Sequence, residues 1–299
     1  MNFDDPIAAG LASGWKVTRG SLLDRDAAID TDVVIVGTGA GGGVTADLLS
    51  AAGLDVVMIE EGALRSTRDF RMLEAEAYPQ LYQESAARKT HDKAVTILQG
   101  RCVGGSTTVN WTSSFRTPEP TLQFWGERFG LRDLSPEALR PWFERMEASL
   151  GIAPWAVPPN ANNELLRVGA DRLGIRTQTI RRNVRDCWNL GYCGMGCPTN
   201  AKQSMLVTTI PAALSRGARL LAEVRVERLR LREGRIEAVE ALAMDASGVR
   251  PTGRRVTVRA KHVVLAAGAI GSPAILLRSG VPDPHRRLGA RTFLHSTVI

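Results

Sequence analysis

An apolar run, Val33-Val34-Ile35-Val36, breaks directly into Gly37-Thr38-Gly39-Ala40-Gly41-Gly42. Few chains can follow that beginning. Four consecutive apolar residues without polar alternation predict a strand buried on both faces, the mark of a parallel sheet between layers. The glycines occupy the three positions of a G-x-G-x-x-G turn. Gly37 permits a tight exit from the strand, Gly39 lets a pyrophosphate approach the backbone, and Gly42 lets the following helix pack on the strand. Val44, Leu48, Leu49 and Ala52 carry helical spacing, Gly53 stands where a helix C-cap glycine belongs, and Val56–Ile59 reads as a second buried strand. This is a βαβ unit, so the fold class is α/β and Rossmann-like. Glu60 closes the second strand. A carboxylate there accepts hydrogen bonds from ribose hydroxyls and repels a 2′-phosphate, so NADP fits poorly.

The 299 residues are 44% apolar and 23% charged, ordinary for a soluble chain with a sizeable core. There is no apolar stretch long enough for a transmembrane helix and no leader pattern in Met1 to Asp30. A cytoplasmic location is the expectation, with peripheral attachment to a membrane left open. The formal net charge of +7 is carried mostly by arginines scattered along the chain. Their densest run, Arg216 to Arg235, alternates with Val224, Val226, Leu229 and Leu231, as on the wet face of a β-hairpin. Few aromatics interleave with these arginines, which argues against nucleic acid as a partner.

Beyond the βαβ unit, residues 1–30 read as an N-terminal extension. Val95 to Leu98 reads as a strand and Gly100 to Asn110 as a loop. Ser135-Pro136-Glu137 starts a helix running to about Ser149, with Leu139, Trp142, Phe143, Met146 and Leu150 on one face. Further helices are expected near Glu164–Leu173 and from about Gln203 to Ser215, closed by Gly217. Leu220 to Val258 reads as strands turning at Gly234 and Gly248. His262 to Ala267 forms a buried strand before a helix that Gly280 stops.

Three segments together, GTGAGGG with IEEG, then GRCVGGSTTVN (Gly100 to Asn110), then VVLAAGAIGSPAILLRSG (Val263 to Gly280), resemble the glucose–methanol–choline (GMC) oxidoreductase family. They occur in the family's order and span most of the chain. The resemblance implies that residues 31–299 form the family's N-terminal FAD-binding domain of the glucose oxidase type. It also implies part of a mixed α+β substrate domain, the rest of which would lie beyond Ile299. It further implies that Gly37, Gly39 and Gly42 hold the pyrophosphate and Glu60 the adenosine ribose. Gly104, Gly105, Ser106 and Asn110 would approach the flavin ring or its ribityl chain. Val226 would meet the adenine through its backbone, and Gly268 and Ala269 would line the cofactor. Some family members tether the flavin through a histidine near the Gly-Gly-Ser loop. None stands between Arg101 and Phe115, so the FAD is expected to be non-covalent.

The reaction implied is oxidation of a CH–OH group, with a small-molecule alcohol, non-sugar and long-chain alcohols favoured, as substrate and oxygen, a quinone or an acceptor protein receiving the electrons. The family's catalytic base is a histidine near the end of a longer chain. His91, His262 and His285 match no such motif, and His295 resembles a flavin-proximal position without being that base, so the base is expected beyond Ile299. Cys187, Cys193 and Cys197 lie among glycines in CWNLGYCGMGCPTNAK. Three thiolates at such spacing suit an iron–sulfur cluster, zinc with a further ligand, or a metal-free or disulfide-bonded loop. The loop resembles both the iron–sulfur loop of bacterial FAD sugar dehydrogenases and a loop of long-chain alcohol oxidases. Those resemblances leave two enzyme readings and a non-catalytic flavin-binding fragment open.

Overall fold

The computed structural model describes residues 4–293. The chain opens with helix α1 (Pro6–Ala12) and strand β1 (Lys16–Arg19), followed by β2 (Ala27–Val36), helix α2 (Ala40–Ala51) and β3 (Val56–Ile59). Helices α3 (Glu74–Leu81) and α4 (Ser106–Val109) lead into β4 (Ser113–Ser114), α5 (Glu119–Phe129), α6 (Pro136–Ser149), β5 (Ile152–Pro154), α7 (Ala161–Arg172) and β6 (Arg181–Asn183). The last third comprises α8 (Thr209–Ser215), β7 (Arg219–Ala222), β8 (Val224–Arg232), β9 (Arg235–Met244), β10 (Pro251–Leu265) and α9 (Gly268–Arg278).

The main sheet has the order β1-β7-β3-β2-β10-β9-β8. Its neighbours from β1 to β10 are parallel, and β10, β9 and β8 continue antiparallel. The expected βαβ unit is β2-α2-β3, and Val33 to Val36 and Val56 to Ile59 are all buried. Alternate residues feed two cores. Val33, Ile35, Val56 and Met58 pack with Ala46 of α2 and Ile210, Ala213 and Leu214 on one side. Val34, Val36, Val57 and Ile59 pack with Val224, Val226, Val239 and Val258 on the other. A strand that serves two cores has no polar face, hence its uninterrupted apolar sequence. The arginine-rich segment is the expected hairpin. Glu233 and Gly234 turn it with φ of 51° and 76°, and Arg228 and Arg230 pair with Glu240 across the exposed face.

Within residues 4–30, two segments are built into the sheet. Strand β1 forms its edge beside β7, and β2 begins at Ala27. Glu223, 1% exposed, accepts from Arg19 Nε at 3.1 Å and from the Ser21 backbone N–H at 3.2 Å, fastening the segment to the end of β7.

Several expected elements differ. Val95 to Leu98 is not a strand: Thr90 and Ile97 N–H groups donate back to Val95 and Arg88 within a local turn, joined by a single bridge between Lys89 and Thr96. The helix expected from Gln203 starts at Thr209. Pro211 has no N–H for the carbonyl of Val207, and its ring would clash there, so Ser204 to Thr208 forms turns instead. Helix α7 starts at Ala161 because Asn160 caps it, its side chain accepting the Asn163 N–H at 2.9 Å. The final part of β10, Val263 to Leu265, is half-buried and His262 is exposed. Helix α6 has the expected bounds and its Ser135 cap, but none of its residues is buried and Trp142 is 58% exposed.

Candidate functional site

The site gathers at the carboxyl ends of β2, β3 and β10, where ligands of open parallel sheets bind. After Val36, Gly37 takes φ +94°, and α2 starts at Ala40 without any side-chain cap. Its first N–H groups therefore face outward at an exposed Ala40 and Gly41, an uncapped helix terminus suited to an anion. Gly42 has no room for a side chain: a Cβ there would lie 1.9 Å from the Gly37 carbonyl oxygen. This is the close helix-on-strand packing expected of the third motif glycine.

The other two motif segments dock on this turn. Gly105 has φ +55°, and a Cβ on it would stand 2.8 Å from the Gly39 Cα. A Cβ on Gly37 would meet the Ala266 carbonyl oxygen at 2.5 Å, so the segment leading into Gly268 and Ala269 lies directly over the turn. Gly268 takes φ +78° at the start of α9, and both it and Ala269 are exposed. Ser106 and Asn110 are also exposed, at the two ends of α4. Gly37, Gly39, Gly42, Gly104, Gly105, Gly268 and Ala269 thus meet in one place, as their order in the sequence could not show.

Glu60 is 8% exposed, and its carboxylate is held on both oxygens. Oε2 accepts from the Thr38 N–H at 3.1 Å and from Thr38 Oγ1 at 2.7 Å, and Oε1 accepts from the Gly62 N–H at 3.0 Å. Burial raises its pKa to about 6, against the lowering effect of those three bonds. Oε1 retains an acceptor site for a ribose hydroxyl. Thr38, fully buried, is the connecting residue: its hydroxyl donates to Glu60 and accepts the Gly104 N–H at 3.0 Å. Sequence reading passed over it as a variable position of the motif, and no spacing rule marks it. The start of β8 adjoins Glu60 through the Val224 N–H at 2.9 Å. Val226 buries its side chain in the second core, and its carbonyl accepts from Arg278 at 3.3 Å.

The three loop cysteines are free thiols and share one cleft of about 120 Å³ with Trp111, Arg182 and Tyr192. Among the described residues no group of three or more His, Cys, Asp or Glu side chains is arranged to hold a metal ion. The expected ligand set Cys187, Cys193 and Cys197 is therefore not assembled. Each sulfur is turned to a separate donor: Cys187 to the Asn189 N–H, Cys193 to Arg182 and Cys197 to the Lys202 N–H, each at 3.4 Å. Cys102, in the Gly-Gly-Ser loop, is buried, and burial pushes its thiol pKa up to about 12, consistent with a packed side chain. His295 lies outside the described residues. Among the described residues no helix is long and apolar enough to cross a membrane.

An uncapped helix terminus, a glycine cradle and a buried carboxylate together define a Rossmann-like dinucleotide-binding fold, and its residues fit FAD. Comparison with known proteins narrows the class. The family model described as GMC oxidoreductase matches residues 78–297, and that of an FAD binding domain matches residues 30–71. The chain belongs to the GMC oxidoreductase family, as the family's N-terminal FAD-binding part.

An uncharacterized GMC-type oxidoreductase, y4nJ of Sinorhizobium fredii, is 34% identical over 93% of this chain and 54% of its own length. The long-chain-alcohol oxidase FAO4B of Arabidopsis thaliana is 31% identical over 91% of this chain and 37% of its own. Pyridoxine 4-oxidase from Mesorbium loti shares the fold, with a TM-score of 0.62 at 22% identity over 84% of this chain and 52% of that one. The chain thus spans about half the length, or less, of the curated relatives it matches.

Proposed function

We propose that this chain is the FAD-binding half of an oxidoreductase acting on CH–OH groups, with a long-chain or other non-sugar alcohol as substrate. The observation that carries the reading is the Thr38 hydroxyl bridge from Glu60 to Gly104, which joins the carboxylate we assign to the ribose to the second family motif. FAD, when bound, supplies the two-electron acceptor for the alcohol carbon. The chain's own residues bind and orient it. Gly39 to Gly41 offer N–H groups to the pyrophosphate, Glu60 accepts from the ribose, and Gly104 to Asn110 shape the wall beside the ring. Gly268 and Ala269 close the cradle, and the backbone near Val226 borders the adenine.

The alcohol class rests on the 31% identity with long-chain-alcohol oxidases. Proton removal from the alcohol needs a positioned base. On this reading a histidine outside the described residues supplies it, and the electron acceptor is oxygen or a quinone. The test is the visible spectrum of the purified chain before and after denaturation. Two flavin bands, with the chromophore released on unfolding, support non-covalent FAD. A folded chain that stays colourless and does not take up added FAD defeats the proposal.

A further inference from the structure

The cysteine loop is left over once the FAD cradle is accounted for, and at its end stands Lys202. This lysine is 3% exposed. Its ammonium donates to three backbone carbonyls: Thr108 at 2.8 Å, Asn110 at 2.6 Å and Cys193 at 2.7 Å. Three donors meet three acceptors, none of them a carboxylate. Two acceptors belong to the last turn of α4 and the residue that ends it. Carbonyls at a helix C-terminus have no partner within the helix. The third belongs to the cysteine loop.

Burying an ammonium is costly, and a methionine of similar length would fill the same space without that cost. Burial draws the Lys202 pKa down to about 8. A charge kept in so unfavourable a place makes sense where three charge-assisted bonds specify a geometry. Other contacts tie neighbouring residues to one segment or the other. Tyr82, 1% exposed, donates its hydroxyl to the Gly194 carbonyl at 2.6 Å. Gly194 lies flat on Trp111, where a Cβ would be 2.7 Å from the ring. The Met205 N–H donates to Thr107 Oγ1 at 3.1 Å.

We propose that Lys202 is a positioning residue: through the Thr108 and Asn110 carbonyls it clamps the Ser106–Asn110 segment to the cysteine loop, which serves as a strut behind the FAD cradle. This assigns the cysteine-rich segment a mechanical role that needs no metal. The link to FAD rests on the functional reading above; the clamp itself does not.

The test compares the chain with its Lys202→Met and Lys202→Gln variants, with and without FAD. Amide hydrogen exchange is followed in residues 104–112, residues 187–200 and the strands β2, β3 and β10. The expected result is at least tenfold faster exchange in both loops of Lys202→Met with the strands unchanged. Lys202→Gln, which keeps two donors, should give a smaller increase. FAD affinity should fall at least tenfold in Lys202→Met. If Lys202→Met does not fold, Lys202→Gln carries the comparison. Exchange in 104–112 within twofold of the parent, in whichever folded variant is measured, overturns the clamp. Faster loop exchange with unchanged FAD affinity overturns its connection to the cradle. If the parent chain itself takes up no FAD, the functional reading fails while the exchange data still decide the clamp.

Discussion

Glu60 offers a sharp pH test of the cradle. Its carboxyl is buried against Thr38 and Gly62, and its pKa stands at about 6 against an ordinary 4.5. A folded-state pKa above the unfolded value means that the protonated carboxyl favours the fold. That contribution is complete below pH 4.5 and is lost as the pH rises through 6. The shift corresponds to about 2 kcal/mol at neutral pH for the chain without cofactor. On the proposed cradle, ribose hydroxyls would donate to Glu60 and stabilise the carboxylate, so FAD binding should expel the proton. If binding returns the group to its ordinary pKa, FAD affinity falls about thirtyfold at the acid limit and about half as much at pH 4.5.

Glu60→Gln separates charge from shape. The amide is neutral at every pH, so the acid-side loss of affinity should vanish. At pH 7 the affinity itself should drop about tenfold or more, because hydrogen bonds to a charged acceptor are worth about 1.5–3 kcal/mol. Stability should change little, the relieved burial offsetting an N–H of Thr38 or Gly62 left facing the amide NH2. The assay is quenching of FAD fluorescence on titration with protein between pH 4.5 and 7.5. A parent affinity that is flat from pH 5 to 7, or a Glu60→Gln variant with the parental slope, refutes the argument.

Other substitutions probe separate parts. Gly42→Ala forces a Cβ to 1.9 Å from the Gly37 carbonyl and should destabilise the chain by about 3 kcal/mol in urea unfolding. Gly105→Ala adds both strain and a clash with Gly39, whereas Gly53→Ala, at φ +83° with nothing within 4 Å, adds strain alone. Only the first should abolish FAD binding, and each should cost about 1–3 kcal/mol. Leu165→Ser and Leu166→Ser, at sites 71% and 67% exposed, should shift stability by less than about 0.5 kcal/mol. Ile35→Ala, at a site 0% exposed, should cost about 2–5 kcal/mol by the same denaturant measurement. Metal analysis of anaerobically purified chain should find no stoichiometric iron or zinc; one metal centre per chain would restore the ligand reading of Cys187, Cys193 and Cys197.

What sequence reading recovers, and what it misses, follows from the range of the interactions. The β2-α2-β3 unit was legible because its signals are local: an apolar run, a glycine turn, a helical period and a closing Glu60 all lie within one stretch of chain. The hairpin of β8 and β9 was legible for the same reason, with Gly234 at its turn. Helix α8 starts at Thr209 rather than near Gln203 because Pro211 offers no N–H to the carbonyl of Val207. The cysteine loop, for which sequence left cluster, zinc and metal-free readings open, shows why spacing alone does not choose among them. Close spacing in sequence suggests convergence, but a glycine-rich loop can turn each side chain its own way, and here each sulfur meets a different donor.

Thr38 and Lys202 were invisible for a further reason. Both join segments distant in sequence, Thr38 to Gly104 and Lys202 to Thr108, and neither residue type is diagnostic alone. A faint signal did exist for Lys202, a lone charge within Ala201-Lys202-Gln203-Ser204-Met205-Leu206 ahead of a buried helix. The faces of α5, α6 and α7 pose the reverse problem. The apolar face read on α6 leaves Trp142 more than half exposed, as are Phe124 and Phe129 of α5 and Leu165 and Leu166 of α7. An amphipathic pattern records that a face tends to be covered, because exposed apolar area is unfavourable; it carries no information on what covers it.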